Sequence, residues 1–151
     1  MTVRRDALKQ GVLIGGLLAS TGLFPQFAWA FNKTAFDAKS INDAVAAFGG
    51  AVPVVSKDVT LTAPDMAENG ALVSLGLSTS LAGVKQLLIL VEKNPNVLVA
   101  MFNVTDAVEA NFAIRAKVGQ SSDVYAVAIM NDGKAFYAKK EIRVTLGGCG
   151  A

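Results

Sequence analysis

The stretch VYAVAIMNDGKAFYAKK, residues 124–140, is the most informative about fold class. Residues 124–130 and 135–140 have the β-branched and aromatic content of strands, and they flank the turn signal NDGK at residues 131–134. Gly133 can adopt the positive φ that a tight hairpin requires. The stretch therefore predicts two antiparallel strands joined by a hairpin turn.

Similar short runs recur on both sides of this hairpin, separated by turn residues at intervals close to ten. They lie at residues 59–63, 71–77, 86–91, 98–102, 113–118 and 141–146. The runs at 86–91 and 98–102 are continuously apolar, which is typical of strands buried within a sheet. We count about seven strands, and this number predicts an all-β fold, an immunoglobulin-like antiparallel β-sandwich.

Two of these runs alternate clearly, so they also predict which side chains face inward. Arg115 and Lys117 alternate with apolar residues in the run at 113–118, which predicts one solvated face. In the last run the expected inward residues are Ile142, Val144 and Leu146. Glu141, Arg143 and Thr145 are expected to face outward.

One short amphipathic helix is predicted before the strands. Its apolar positions recur at roughly helical spacing: Phe36, Ile41, Ala44, Val45 and Phe48. Thr34 is the expected N-cap, Asp37 suits the positive end of the helix dipole, and Gly49-Gly50 ends the helix. We expect this helix to lie across the end of a sheet and to bury its Phe face there.

The first thirty residues have the layout of an export signal that is removed after Ala30. Arg4-Arg5 precedes an uncharged stretch and a small-residue site, Ala28-Trp29-Ala30, and the paired arginines suggest the twin-arginine route. General secretion and an uncleaved membrane anchor are the alternatives, although several glycines and Pro25 dilute the hydrophobicity. Cleavage predicts an exported domain over residues 31–146, followed by residues 147–151.

Composition excludes several classes of function. The chain has 151 residues, 52% of them hydrophobic, which is enough for one domain with a core. It contains one Cys and no His, so it cannot alone form a Cys/His zinc site, a His-ligated haem or a Ser-His-Asp triad. The signal holds three of the 14 bases and one of the 12 acids, so the mature chain has no formal net charge. A nucleic-acid partner therefore has no electrostatic support.

Two pairs of carboxylates are close enough in sequence to imitate a general acid and base. These are Asp65 with Glu68, and Asp106 with Glu109. Both pairs fall in turn-like segments, so we expect solvated side chains and not catalysis. No metal ligand set is predicted.

The chemistry is concentrated at the end of the chain, Gly147-Gly148-Cys149-Gly150-Ala151. Glycines lack side chains and have a wide conformational range, so this segment is expected to be a thin, mobile arm. The three residues after Leu146 reach at most about 10 Å. A thiolate is nucleophilic and can exchange sulfur–sulfur bonds, whereas the nearby terminal carboxylate opposes thiolate formation. This favours a carrier whose thiol is activated inside its partners.

Other interpretations of Cys149 remain open at this point. A lone cysteine in an oxidising compartment can link two copies by a disulfide, which would make the protein a homodimeric interaction module. The glycine-rich terminus can also be merely frayed. A free-standing thiol enzyme such as a sulfurtransferase is disfavoured, since no His is present to activate the thiol.

Three stretches of the chain resemble the SoxY family, the sulfur-carrier subunits of the bacterial Sox thiosulfate-oxidation system. The end VTLGGCGA, residues 144–151, is similar to the family's carrier arm, with Ala151 in place of its last glycine. APDMAENGA at 63–71 agrees as well, and so does EKNP at 92–95 followed by VAMF at 99–102. We assign turn roles to Asn69-Gly70 and Asn94-Pro95.

The resemblance implies a periplasmic carrier with an immunoglobulin-like fold that pairs with the subunit SoxZ. Cys149 would be the site of covalent sulfur attachment, and Gly147, Gly148 and Gly150 would give the arm its flexibility and small cross-section. The c-type cytochrome SoxXA would join thiosulfate to the thiol, and the hydrolase SoxB would remove sulfate. SoxCD would oxidise the remaining sulfur in some organisms. The chain itself would be neither an enzyme nor the holder of a cofactor.

Overall fold

The computed structural model describes residues 32–145 as two short helices and nine strands in two sheets. The helices are α1 (Lys33–Phe36) and α2 (Ile41–Ala47). The strands are β1 (Val54–Val55), β2 (Val59–Thr62), β3 (Met66–Ala67), β4 (Val73–Thr79), β5 (Val84–Val91), β6 (Leu98–Asn103), β7 (Asn111–Ala116), β8 (Ser122–Met130) and β9 (Ala135–Val144). The predicted export signal over residues 1–30 and the predicted arm over residues 147–151 lie outside the described residues.

The larger sheet contains six strands in the order β1-β9-β8-β5-β6, with β3 also paired to β9, and the smaller sheet has the order β2-β4-β7. Neighbouring strands are antiparallel, except that β1 and β3 run parallel to β9. β1 pairs with Phe136 and Tyr137, whereas β3 pairs with Arg143 and Val144, so they occupy successive parts of one edge of β9. The predicted β-sandwich is confirmed, with two short parallel strands that the sequence did not predict.

The hairpin between β8 and β9 forms as predicted. Gly133 has a φ of 84°, and its N–H donates to the Met130 carbonyl at 3.0 Å. The two strands predicted at 135–140 and 141–146 are instead one strand, because the pairing of β8 with β9 continues unbroken to Ile142. Lys139 pairs with Tyr125 within this ladder, so the charges interrupt the apolar pattern without interrupting the strand.

Both faces of the larger sheet are covered, which explains the continuous apolar run in β5. Leu87 and Ile89 belong to the core between the two sheets, whereas Leu88 and Leu90 belong to a second cluster on the outer face. β6 was also expected to be buried, but it is an edge strand and its side chains are only partly buried. Its Phe102 stacks on Phe112 of β7 with 4.3 Å between ring centroids, which joins the two sheets along that side.

The predicted helix is two helices, and its predicted cap is wrong. Thr34 lies within α1, and Ser40 is the N-cap of α2, accepting a hydrogen bond from the Asp43 N–H at 3.1 Å. Gly49 follows α2 with a φ of 79°, as expected for a residue that ends a helix.

The helical segment also occupies a different place from the expected one. α2 lies on the outer face of the larger sheet, where Ala44 and Val45 pack with Val127 and other apolar residues of β5 and β8. Phe36 is 41% exposed, whereas Ile41 and Phe48 of the predicted apolar face pack against this cluster together with the small side chains. The physical reason is the apolar outer face of β5 and β8, which would otherwise contact water.

Alternation in the other strands agrees with the sequence. Arg115 is exposed in β7 and Ala116 is buried. In β9, Ile142 is buried, while Glu141 and Arg143 are exposed. The last stretch of β9 therefore keeps its predicted inward face up to the point where the described chain ends.

Candidate functional site

The end of β9 is the described part of the domain that is nearest in sequence to Cys149. Thr145 is the last residue described, and it precedes Cys149 by four residues. Four residues of extended chain span at most about 14 Å. The four predicted site residues, Cys149, Gly147, Gly148 and Gly150, lie outside the described residues. The structure describes the surroundings of the strand end that precedes them in the chain, up to Thr145.

One side of this strand end is held by the backbone of β3. The Arg143 N–H donates to the Asp65 carbonyl at 3.0 Å, and the Thr145 N–H donates to the Ala67 carbonyl at 3.0 Å. Met66 lies opposite Arg143 in the parallel ladder. The β-structure is thus extended on this side through Thr145.

The other side is held by a side chain, because the β8 ladder ends at the pair Ser122–Ile142. The Val144 N–H donates to Ser121 Oγ at 2.9 Å, and Ser121 Oγ is 3.4 Å from the Val144 carbonyl oxygen. A serine hydroxyl can both accept and donate, so this one replaces the missing strand partner. Val144 is therefore hydrogen-bonded on the side away from β3.

Gly70 packs directly against the same strand end. A Cβ at this position would lie 2.4 Å from the Val118 carbonyl oxygen and 2.7 Å from Val144 Cγ1. The Val118 N–H donates to the Gly70 carbonyl at 2.8 Å, and the Asn69 side chain turns the chain by accepting from the Ala71 N–H at 2.9 Å. Only a residue without a side chain fits here without displacing its neighbours.

Asn94 fixes the loop that carries Val118 and Ser121. Its Nδ2 donates to the Lys117 carbonyl at 2.8 Å, and its Oδ1 accepts from the Gly119 N–H at 3.0 Å. Both ends of the amide are thus used, and they bracket Val118. We call the residues around the end of β9, namely Ala67, Gly70, Asn94, Val118 and Ser121, the collar.

The collar brings together the two internal stretches that the sequence singled out. Asn69-Gly70 and Asn94 lie in turns, as predicted. Gly70 and Asn94 both hydrogen-bond to the backbone of the loop that contains Val118. Their convergence was not predicted, since these contacts join residues far apart in the sequence. The only sequence signal was their shared presence in the SoxY-like stretches.

One ion pair lies beside the site, between Lys140 and Asp65. Lys140 Nζ contacts Asp65 Oδ1 at 2.9 Å and the Ala63 carbonyl at 2.5 Å, which attaches the segment before β3 to β9. The hydrogen bond from Lys140, together with its positive charge, lowers the pKa of Asp65. Asp65 therefore makes an ion pair and is not poised as a general acid with Glu68.

The described part of the chain offers neither a metal site nor a membrane-spanning helix. Between residues 32 and 145 no group of three or more acidic or cysteine side chains is arranged to hold a metal ion. In the same range no helix is long and apolar enough to cross a membrane.

The family model for "Sulfur oxidation protein SoxY" matches residues 44–149. Among solved structures, the sulfur carrier protein SoxY from Chlorobium limicola f thiosulfatophilum is 30% identical with a TM-score of 0.63. That match covers 71% of this chain and 97% of the other. No curated protein matches the sequence at a significant level.

The superoxide reductase (neelaredoxin) from Ignicoccus hospitalis is also similar, at 18% identity with a TM-score of 0.50. The match covers 58% of this chain and 80% of that one. Identity this low indicates a shared fold alone.

Proposed function

Because the chain belongs to the SoxY family of sulfur oxidation proteins, we propose that it is a periplasmic carrier that holds thiosulfate-derived groups on Cys149. The observation that supports this most is the collar, which hydrogen-bonds β9 on both sides up to residues 144 and 145. The domain thus ends at one fixed point, four residues before the only cysteine of the chain. A rigid base and a short glycine-rich extension suit a thiol that has to enter other proteins.

The proposed cycle begins with oxidative attachment. The Cys149 thiol and thiosulfate form a sulfur–sulfur bond, giving a cysteine S-thiosulfonate, one proton and two electrons. A c-type cytochrome, SoxXA, accepts the two electrons. Hydrolysis by SoxB then breaks the bond between sulfane sulfur and the sulfonate group, releasing sulfate and two protons and leaving a persulfide anion on Cys149. SoxCD oxidises that sulfur further where it is present.

On this proposal the chain contributes no catalytic group. Gly147, Gly148 and Gly150 give the arm a small cross-section, so that a partner's narrow channel can admit it. The subunit SoxZ is the proposed permanent partner, and residues 1–30 are the proposed export signal of twin-arginine type, cleaved after Ala30.

The test is intact mass spectrometry, without reductant, of the mature protein from its native host grown on thiosulfate. We expect adducts of sulfur or thiosulfonate on Cys149 that reduction removes, and the same spectrum gives the cleavage site. Cys149→Ser should fold normally, carry no adduct and support no turnover in a reconstituted system. Full thiosulfate turnover with Cys149→Ser would overturn the proposal. A bare thiol, or only a dimer linked through Cys149, would instead favour the interaction-module function.

A further inference from the structure

Two large apolar side chains next to the collar are exposed and do not contribute to the core. Met66 is 58% exposed and Leu72 is 57% exposed. Met66 immediately precedes Ala67 and pairs with Arg143. Leu72 is two residues from Gly70, a chain distance of at most about 7 Å, and Gly70 contacts Val144. Both side chains thus lie near the point where the chain leaves the domain.

The short length of the arm limits how far a partner's surface can be from this region when Cys149 reaches its reactive centre. Cys149 can be no more than about 14 Å from Thr145 along the chain. A reactive centre recessed below the surface of another protein would use most of this length. The rim of that protein must therefore contact the residues that surround Thr145.

We propose that Met66 and Leu72 form a docking surface for an apolar rim on the enzyme that loads Cys149. This inference rests on the proposed function. A methionine side chain is flexible and polarizable, so it can adapt to more than one partner surface. The nearby Asp65 charge is offset by Lys140, which lowers the cost of bringing an apolar surface close.

Another exposed apolar pair, on the same sheet as Met66, provides a matched control. Val54 and Val55 of β1 are 58% and 69% exposed. They pair with Phe136 and Tyr137. Seven residues of strand, about 23 Å, separate Tyr137 from Val144, which is farther than the arm can reach. A partner enzyme that surrounds the arm therefore cannot contact Val54 and Val55 with the rim of its active-site opening.

The experiment compares the double variants Met66→Ser/Leu72→Ser and Val54→Ser/Val55→Ser with the wild type, each as the full mature chain with SoxZ. The measured quantity is the second-order rate at which SoxXA is reduced in the presence of thiosulfate at low carrier concentration. We expect the Met66/Leu72 variant to lose about tenfold, a change of about 1.4 kcal/mol, and the control to stay within about twofold. Alkylation of Cys149 by iodoacetamide should be equally fast in all three proteins.

Several outcomes would contradict this surface. Equal loading of the wild type and the Met66/Leu72 variant, or equal losses in both variants, would overturn it while leaving the carrier function intact. Loss of pairing with SoxZ in the Met66/Leu72 variant would assign the two residues to the subunit interface instead. A wild type that is never loaded would overturn the proposed function and the surface together. Thermal unfolding checks folding, and Met66→Ser alone serves as the milder variant.

Discussion

Ser121 binds the backbone of Val144 as a neighbouring strand would, with the Val144 N–H 2.9 Å from Ser121 Oγ. β8 no longer reaches this far along β9, because the ladder ends at the pair Ser122–Ile142. One hydroxyl therefore supplies, on this side of Val144, the hydrogen bond that a neighbouring strand would otherwise accept.

Ser121→Ala is expected to loosen the end of β9 without unfolding the domain. Losing a hydrogen bond of this kind costs about 1 kcal/mol, which corresponds to about fivefold faster opening. Hydrogen exchange of the Val144 and Thr145 amides measures this directly. Ser74→Ala, at an exposed position of β4 in the smaller sheet, is the control and should leave both amides unchanged. Equal exchange in the Ser121 variant and the wild type would show that the hydroxyl does not hold the strand.

Gly70→Ala is expected to lower the free energy of unfolding by about 1–3 kcal/mol. The added methyl group would collide with the Val118 carbonyl oxygen at 2.4 Å, and a backbone atom cannot rotate away. Gly119→Ala, next to Val118, is the matched control, since its Cβ would make only an ordinary contact, 3.5 Å from Asn94 Oδ1. Urea denaturation of both variants measures the difference. Equal urea midpoints for Gly70→Ala and Gly119→Ala would mean that the neighbours of Gly70 move aside for the added methyl group at little cost.

The ion pair between Lys140 and Asp65 predicts a specific response to acid. The pair lowers the pKa of Asp65, so its contribution is fully present above the ordinary Asp pKa of about 3.9. It is lost as the pH falls through the lowered pKa. Asp65→Asn should therefore be less stable than the wild type by the same margin at pH 7 and pH 5, and the margin should shrink below pH 4. If the stability difference between the wild type and Asp65→Asn instead grew on acidification, the ion pair would not be its cause.

On the proposed function, Gly148→Val is expected to slow every partner reaction of the carrier while leaving the folded domain unchanged. A β-branched side chain widens the arm and restricts its backbone next to Cys149. Rates with SoxXA and with SoxB measure the effect, and alkylation of Cys149 by a small reagent shows that the thiol itself is still reactive. Gly148→Ala should give a smaller loss. Unchanged rates with all partners would refute the need for a thin arm.

The sequence predicted the features that depend on local pattern. The hairpin at residues 131–134 and the alternation around Ile142 follow from neighbouring residues, and the structure confirms them. Met66–Ala67 is too short a strand to show any periodicity, so β3 could not be predicted. Thr34 and Ser40 are both residue types that are favoured at N-caps, but Thr34 lies inside the first helix and Ser40, with an extended backbone, caps the second.

The collar could not be predicted from the sequence for a different reason. Its contacts link Asn94 to Lys117 and Gly70 to Val144, pairs that only the finished sheet brings together. Turn propensity identified Asn94 as a loop residue, but it contains no information about which loop the amide would contact. The position of Cys149 near the end of the chain, by contrast, is read directly from the sequence and requires no folding to be seen.

The two short parallel strands along β9 have a consequence for how copies of this protein meet. An open strand edge is a template for pairing with another molecule and for aggregation. β1 and β3 cover both ends of the β9 edge, and Lys140 reaches from between them to the Ala63 carbonyl. Two copies joined at Cys149 would therefore find both ends of this edge already paired, with only residues 138–142 between them open to a strand of the other copy. So short an open stretch gives little support to a shared sheet, and we expect such a pair to be held mainly by its disulfide and to separate on reduction.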